Sequence, residues 1–241
     1  MKTSTIFYNH HEISFSNLLE EGHNMDANIL NGTLYNRSDH NFDPLLRLLN
    51  LGDVVYDLGA YIGTFSIPMA LEGMSVIAFE GFPDNYKRLN VNVAPYSNIS
   101  THCVAVSNKE DNVFTQFNDC TDIYPATPRD ISYVVLDDYI KENNLAFPSF
   151  VKMDIEGMET VALFGMTDLL EAVRPIWQIG YHRENDIKFD GYPGFVEPED
   201  GGFDFKTFSN LDYFIFRPFD MRCNGFSTGG EYLCVPKERL Q

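Results

Sequence analysis

Asp57, Glu80, Asp154 and His182 each close a short apolar run of strand character, and their side chains can bind polar ligands and move protons. Between the first two lies Gly59-Ala60-Tyr61-Ile62-Gly63, a turn whose glycines let main chain come close to a ligand. Glu80 follows about twenty residues later, the spacing at which a carboxylate accepts hydrogen bonds from both hydroxyls of a ribose. That pair specifies a nucleoside. A dinucleotide fingerprint would carry three glycines as G-x-G-x-x-G, whereas only Gly59 and Gly63 stand here, and the acidic Asp57 leading into the turn disfavours a pyrophosphate. The same carboxylate suits a cofactor bearing an ammonium and a sulfonium, because opposite charges attract more strongly in a partly dehydrated site than in water. The expected cofactor is S-adenosylmethionine. His182, whose imidazole titrates near neutral pH, is the first candidate for a base that takes the proton of an acceptor hydroxyl, and Asp154 is the second. Two plainer readings stand beside these: solvated strand-end carboxylates for Asp57 and Glu80, and a hydrogen-bonded strand-end histidine for His182.

The elements that must position these groups alternate along the chain. Asp53 to Leu58 reads as a strand, and Ile62, Phe65, Ser66 and Met69 recur at helical spacing after the glycine turn. Ser75 to Phe79 is a second strand, Pro83 opens a helix through about Asn92, and a third strand follows near Ser100 to Val106. Asp137 is the expected cap of a helix that begins at Asp138. Phe150 to Met153 reads as a buried strand delivering Asp154, Glu159 to Gly165 as helix, Thr167 as the cap of a further short helix, and Ile176 to Tyr181 as a fifth strand before His182. Tyr213 to Phe216 and Tyr232 to Val235 read as a closing antiparallel pair. Strands alternating with helices predict a mainly parallel α/β sheet, mixed at that edge. In such sheets ligands sit beyond the carboxyl ends of the strands, where all four residues named above fall.

Residues 1–50 read as an N-terminal lead-in that packs on the core, with a short helix over 42–49. The rest, 51–241, is expected to be one domain, with a long Asp-, Gly- and Pro-rich acceptor-side loop over about 183–210. Composition bounds the partners. The 241 residues carry 17 Lys and Arg against 35 Asp and Glu, a net charge of −18, which repels phosphate backbones and argues against nucleic-acid and anionic-membrane partners. No apolar run is long enough for a membrane span and the start lacks an apolar signal core, so the expected location is the cytoplasm. Asp154, Glu156 and Glu159 carry oxygen ligands that would suit magnesium, but Glu156 begins the turn into a helix and can pair with Lys152. A structural role is preferred for Glu156 and Glu159, and no metal site is assigned.

Val55-Tyr56-Asp57-Leu58-Gly59-Ala60-Tyr61-Ile62-Gly63, Ala78-Phe79-Glu80, Ala105-Val106-Ser107, Val135 to Tyr139 and Lys152-Met153-Asp154-Ile155-Glu156-Gly157-Met158-Glu159 occur in an order that resembles the FkbM-type S-adenosylmethionine-dependent methyltransferases. The resemblance covers roughly 50–182, and the lysine-to-glutamate run is its most specific part. It implies a Rossmann-like seven-stranded methyltransferase sheet and methylation of a hydroxyl on a sugar, glycan or other small-molecule acceptor. It further implies that Gly59, Ala60 and Gly63 line the methionine part of the cofactor, that Glu80 holds the ribose, and that Phe82 and Ala105 lie near the adenine. Two positions depart from the family: Tyr61 stands where asparagine is frequent, and Gly81 where proline often follows the acidic residue. Both touch the cofactor pocket. The expected activity is therefore O-methylation, against a non-catalytic cofactor-binding or scaffold protein on the same fold. Acceptor identity and oligomeric state are not legible in the chain.

Overall fold

The computed structural model describes residues 2–19, 24–34, 46–109, 111–115, 129–156, 158–182, 205–216 and 229–240. The chain divides into two compact units, Met1–Ala105 with Asn112–Ser132, and Val106–Asp111 with Tyr133–Gln241.

In the first unit β1 (Lys2–Tyr8) and β2 (His11–Leu18) pair antiparallel across a tight turn in which Asn9 takes a φ of 51°. Helix α1 (Asn24–Leu30) is tied to this hairpin by the Ser4 hydroxyl, which donates to the Ile29 carbonyl at 2.9 Å. Ile6, Ile13, Phe15, Leu18 and Ile29 from these elements share one apolar cluster with Ala60, Ile62, Ile67, Ala78, Leu89 and Val93. The parallel strands β3 (Val54–Leu58), β4 (Ser75–Phe79) and β5 (Ile99–His102) follow, in that spatial order. β3 is an almost continuous apolar run because a parallel strand is covered on both faces. Helices α2 (Ser66–Leu71) and α3 (Pro83–Val93) make the crossovers, and Pro83 opens α3 where a missing N–H costs nothing.

Three short strands, β6 (Ala105–Ser107), β7 (Asp111–Thr115) and β8 (Arg129–Val135), precede α4 (Leu136–Glu142). The second unit continues with β9 (Phe150–Met153), α5 (Glu159–Leu163), a wide helical turn over Leu169–Val173, β10 (Ile176–His182), α6 (Phe205–Asn210), β11 (Tyr213–Phe216) and β12 (Gly229–Pro236). β9 and β10 run parallel with Val151 opposite Trp177, and β12 is antiparallel to both β10 and β11. Trp177 and Phe208 are fully buried with ring centroids 6.0 Å apart, and Phe208 meets Tyr213 edge-on at 5.2 Å.

The main sheet is seven-stranded and mainly parallel, with an antiparallel edge. The fold is the expected Rossmann-like α/β class. Local details differ from the reading of the sequence. The strand expected over 100–106 is two strands, broken at Cys103 and Val104. Asp137 does not cap its own helix, which already begins at Leu136; its carboxylate instead accepts the N–H groups of Asp168 and Leu169 at 2.6 and 3.2 Å. Those donors open the turn that Thr167 was expected to cap, and a buried N–H takes whichever acceptor the packing brings close. The end of the expected 183–210 loop is helical as α6, while 183–204 and the first half of the helix expected over 42–49 lie outside the described residues. Among the described residues no helix is long and apolar enough to cross a membrane.

Candidate active site

Glu80 leaves the carboxyl end of β4 with 5% of its surface exposed. Its Oε2 accepts the Tyr61 N–H at 2.8 Å and its Oε1 accepts the Phe82 N–H at 2.9 Å. A main-chain donor on each oxygen fixes the plane of the carboxylate, so a pair of vicinal hydroxyls would meet acceptors whose orientation is already set. The glycine turn is fastened to the same strand end, because the N–H groups of Gly59 and Ala60 both donate to the Phe79 carbonyl at 3.0 Å. Gly59 and Gly63 have φ of 81° and 94°, in the left-handed region where a side chain is strained. Gly63 has a second reason to be glycine: a Cβ there would lie 3.2 Å from Leu89 and Val93 of α3. At Gly81 an added Cβ would lie 2.7 Å from that of Ala105, so the proline frequent at this position would have to displace the neighbouring chain. Phe82 and Ala105 remain partly exposed.

Asp57 is placed differently from a ligand-facing carboxylate. It is fully buried, and its Oδ2 accepts the hydroxyl of the equally buried Ser66 at 2.6 Å. The side chain of Tyr61 runs to Asp26 and Arg88, two residues that reading the sequence missed. Tyr61 donates its hydroxyl to Asp26 Oδ1 at 2.6 Å and accepts an N–H of Arg88 at 3.1 Å. Burial pushes the Tyr61 hydroxyl well above the ordinary tyrosine range; Arg88 opposes that shift and Asp26 adds to it. The signal that could have found Arg88 is its place on the buried face of α3 beside Asn85, Leu89 and Asn92. Nothing in its own neighbourhood marks Asp26. The His102 ring stacks on Phe79 at 5.2 Å, and burial lowers the pKa of that imidazole.

The second unit places Asp154 just past β9 and His182 as the last residue of β10, at the same end of two neighbouring parallel strands. The Asp154 side chain is 37% exposed and lies 3.7 Å from the Nζ of the buried Lys152. Gly180 makes room for it, since a Cβ there would lie 3.1 Å from the Asp154 carboxyl carbon. Glu159 has a structural contact, its Oε1 accepting the Ile155 N–H at 3.1 Å, and Glu156 takes the left-handed turn with a φ of 55°. Among the described residues no group of three or more His, Cys, Asp or Glu side chains could hold a metal ion. The first unit thus offers a built carboxylate beside a glycine turn, and the second a partly exposed carboxylate beside a buried ammonium.

Comparison with known proteins adds a lineage. The family described as "Methyltransferase FkbM domain" matches residues 57–215. The hexuronic acid methyltransferase AglP of Haloferax volcanii is 30% identical over 127 residues, which make up 50% of this chain and 53% of that protein, so the chain spans about half the length of this relative. Among solved structures, the bifunctional kinase-methyltransferase WbdD superposes with a TM-score of 0.50 at 13% identity, covering 89% of this chain and 42% of that one. The FkbM methyltransferase of Methylobacillus flagellatus KT gives 0.45 at 21% identity, over 65% of this chain and 42% of that one.

Proposed function

We propose, from the premise that this chain belongs to the FkbM methyltransferase family, that it methylates a hydroxyl of a sugar or glycan with S-adenosylmethionine as donor. The observation that carries the reading is Glu80, clamped by the N–H groups of Tyr61 and Phe82 at the end of β4 directly beside the glycine turn. These residues fit a nucleoside with vicinal hydroxyls. The sugar acceptor is supported by the relative whose name states action on hexuronic acid.

S-adenosylmethionine, when bound, supplies a methyl group on a sulfonium, open to an oxygen nucleophile opposite the sulfur. Glu80 would hold the ribose, Gly59, Ala60, Tyr61 and Gly63 the methionine part, and Phe82, Gly81 and Ala105 the adenine. Asp57 acts through Ser66, keeping β3 and α2 in place beneath the turn. A sugar hydroxyl becomes a good nucleophile only as it loses its proton, and His182 or Asp154 would take that proton. The Lys152 ammonium lies 3.7 Å from the Asp154 carboxylate. Most of the rate then comes from holding the two reactants in line.

Calorimetric titration with S-adenosylmethionine, for the protein and for Glu80→Ala, tests the cofactor site. Micromolar binding that the variant loses is expected; no binding by either would overturn the reading. Incubation with methyl-labelled cofactor and glycans with and without uronic acids then tests the acceptor. The inward-facing Asp57 favours a second reading, a non-catalytic cofactor-binding protein, which gains if binding occurs and no acceptor hydroxyl is ever labelled.

A further inference from the structure

We propose that Asp26, Tyr61 and Arg88 form a positioning device for the cofactor site, in which Tyr61 is a strut between the glycine turn and helices α1 and α3. This rests on the cofactor reading given above. Tyr61 has a φ of 53°, a backbone conformation that asparagine tolerates and a bulky side chain resists. Something must hold it there. Its hydroxyl is gripped by Asp26 at 2.6 Å and Arg88 at 3.1 Å, and the Arg88 guanidinium lies over its ring, 5.1 Å from the centroid. Arg88 and Asp26 are in turn ion-paired, and Asp26 also accepts the Leu19 N–H at 2.6 Å. At its main-chain end the same tyrosine donates to Glu80 at 2.8 Å. One residue therefore transmits the placement of α1 and α3 to the carboxylate that would bind the ribose.

Burial sharpens the case. Asp26 is fully buried and Arg88 is 7% exposed, and a buried ion pair is often no more stabilising than well-packed apolar side chains of the same size. The pair is better accounted for by the registry it imposes. Its members lie 62 residues apart in the chain, pair directly, and both reach the Tyr61 hydroxyl. The fork of Arg88 reaches the hydroxyl with one nitrogen and the carboxylate with the other, a geometry that lysine cannot reproduce.

The test compares the wild-type protein with Tyr61→Phe and Arg88→Lys by three measurements: S-adenosylmethionine affinity by calorimetry, thermal midpoint, and hydrogen exchange at the Tyr61 amide in the cofactor-free protein. Tyr61→Phe keeps the ring and removes only the gripped oxygen. Affinity should fall about tenfold, and the Tyr61 amide should exchange faster. Arg88→Lys should shift the same quantities in the same direction, and it carries the test should Tyr61→Phe not fold. A lowered thermal midpoint with unchanged affinity and unchanged exchange in both variants would make the network merely structural and overturn the proposal. Wild-type protein that binds no cofactor would instead overturn the functional reading beneath it.

Discussion

Ser66 donates its hydroxyl to Asp57 Oδ2 at 2.6 Å, and neither side chain has any exposed surface. The bond joins the end of β3 to the first residue of α2, a helix whose start has no other side-chain cap. Ser66→Ala leaves a buried carboxylate oxygen without this donor and should cost about 1–3 kcal/mol of stability. Urea unfolding measures it. A loss below experimental error would show that the carboxylate finds another partner.

Glu80→Gln replaces one acceptor oxygen with an NH2 group that cannot receive either the Tyr61 or the Phe82 N–H. One of those main-chain donors is orphaned and one ribose hydroxyl loses its acceptor, so cofactor affinity should fall by about ten- to a hundredfold. Calorimetry against wild type checks this, and equal affinity would remove Glu80 from the site.

If Asp154 or His182 is the base, substitution should act on the chemical step and leave cofactor binding alone. The expected loss in kcat is about 10²–10⁴-fold for whichever residue takes the proton, with the dissociation constant for S-adenosylmethionine unchanged. Asp154→Asn and His182→Ala measured side by side assign the role. Two fully active variants would mean that neither takes the proton.

Arg174 donates to Glu238 at 2.6 Å and to the Leu211 carbonyl at 2.7 Å, tying together three segments of the second unit. Its hydrogen bond holds the Glu238 carboxyl down at about 2 from an ordinary 4.5. A carboxyl with a depressed folded-state pKa contributes stability above its unfolded value, and that contribution is lost as pH falls through the folded one. Wild type should therefore exceed Glu238→Gln in stability above pH 4.5, and the two should converge as pH falls toward 2. Because the Glu238 side chain is 53% exposed, the gap should stay below about 1 kcal/mol. Urea unfolding over that pH range gives the curve, and a gap independent of pH would exclude the ion pair as its source.

Much of the fold could be read from local pattern. β4 and β9 start and stop where the apolar runs do, and Pro83 marks the first residue of α3. Gly59 and Gly63 were legible because left-handed backbone selects for glycine whatever surrounds it. Tyr61 was visible only as a departure from the family pattern, since its left-handed backbone is held by partners from distant parts of the chain.

The sequence by itself determined the alternation of strand and helix, the placement of Asp57, Glu80, Asp154 and His182 at strand ends, and the glycines of the turn, because each depends on periodicity or on backbone sterics within a few residues. Only the tertiary structure decided which way the polar groups point. Asp57 turns inward to Ser66, Asp137 serves the N–H groups of Asp168 and Leu169 and not its own helix, and Asp26 reaches Arg88 across 62 residues. Buried polar groups must find partners, and packing alone sets which ones come within hydrogen-bond distance.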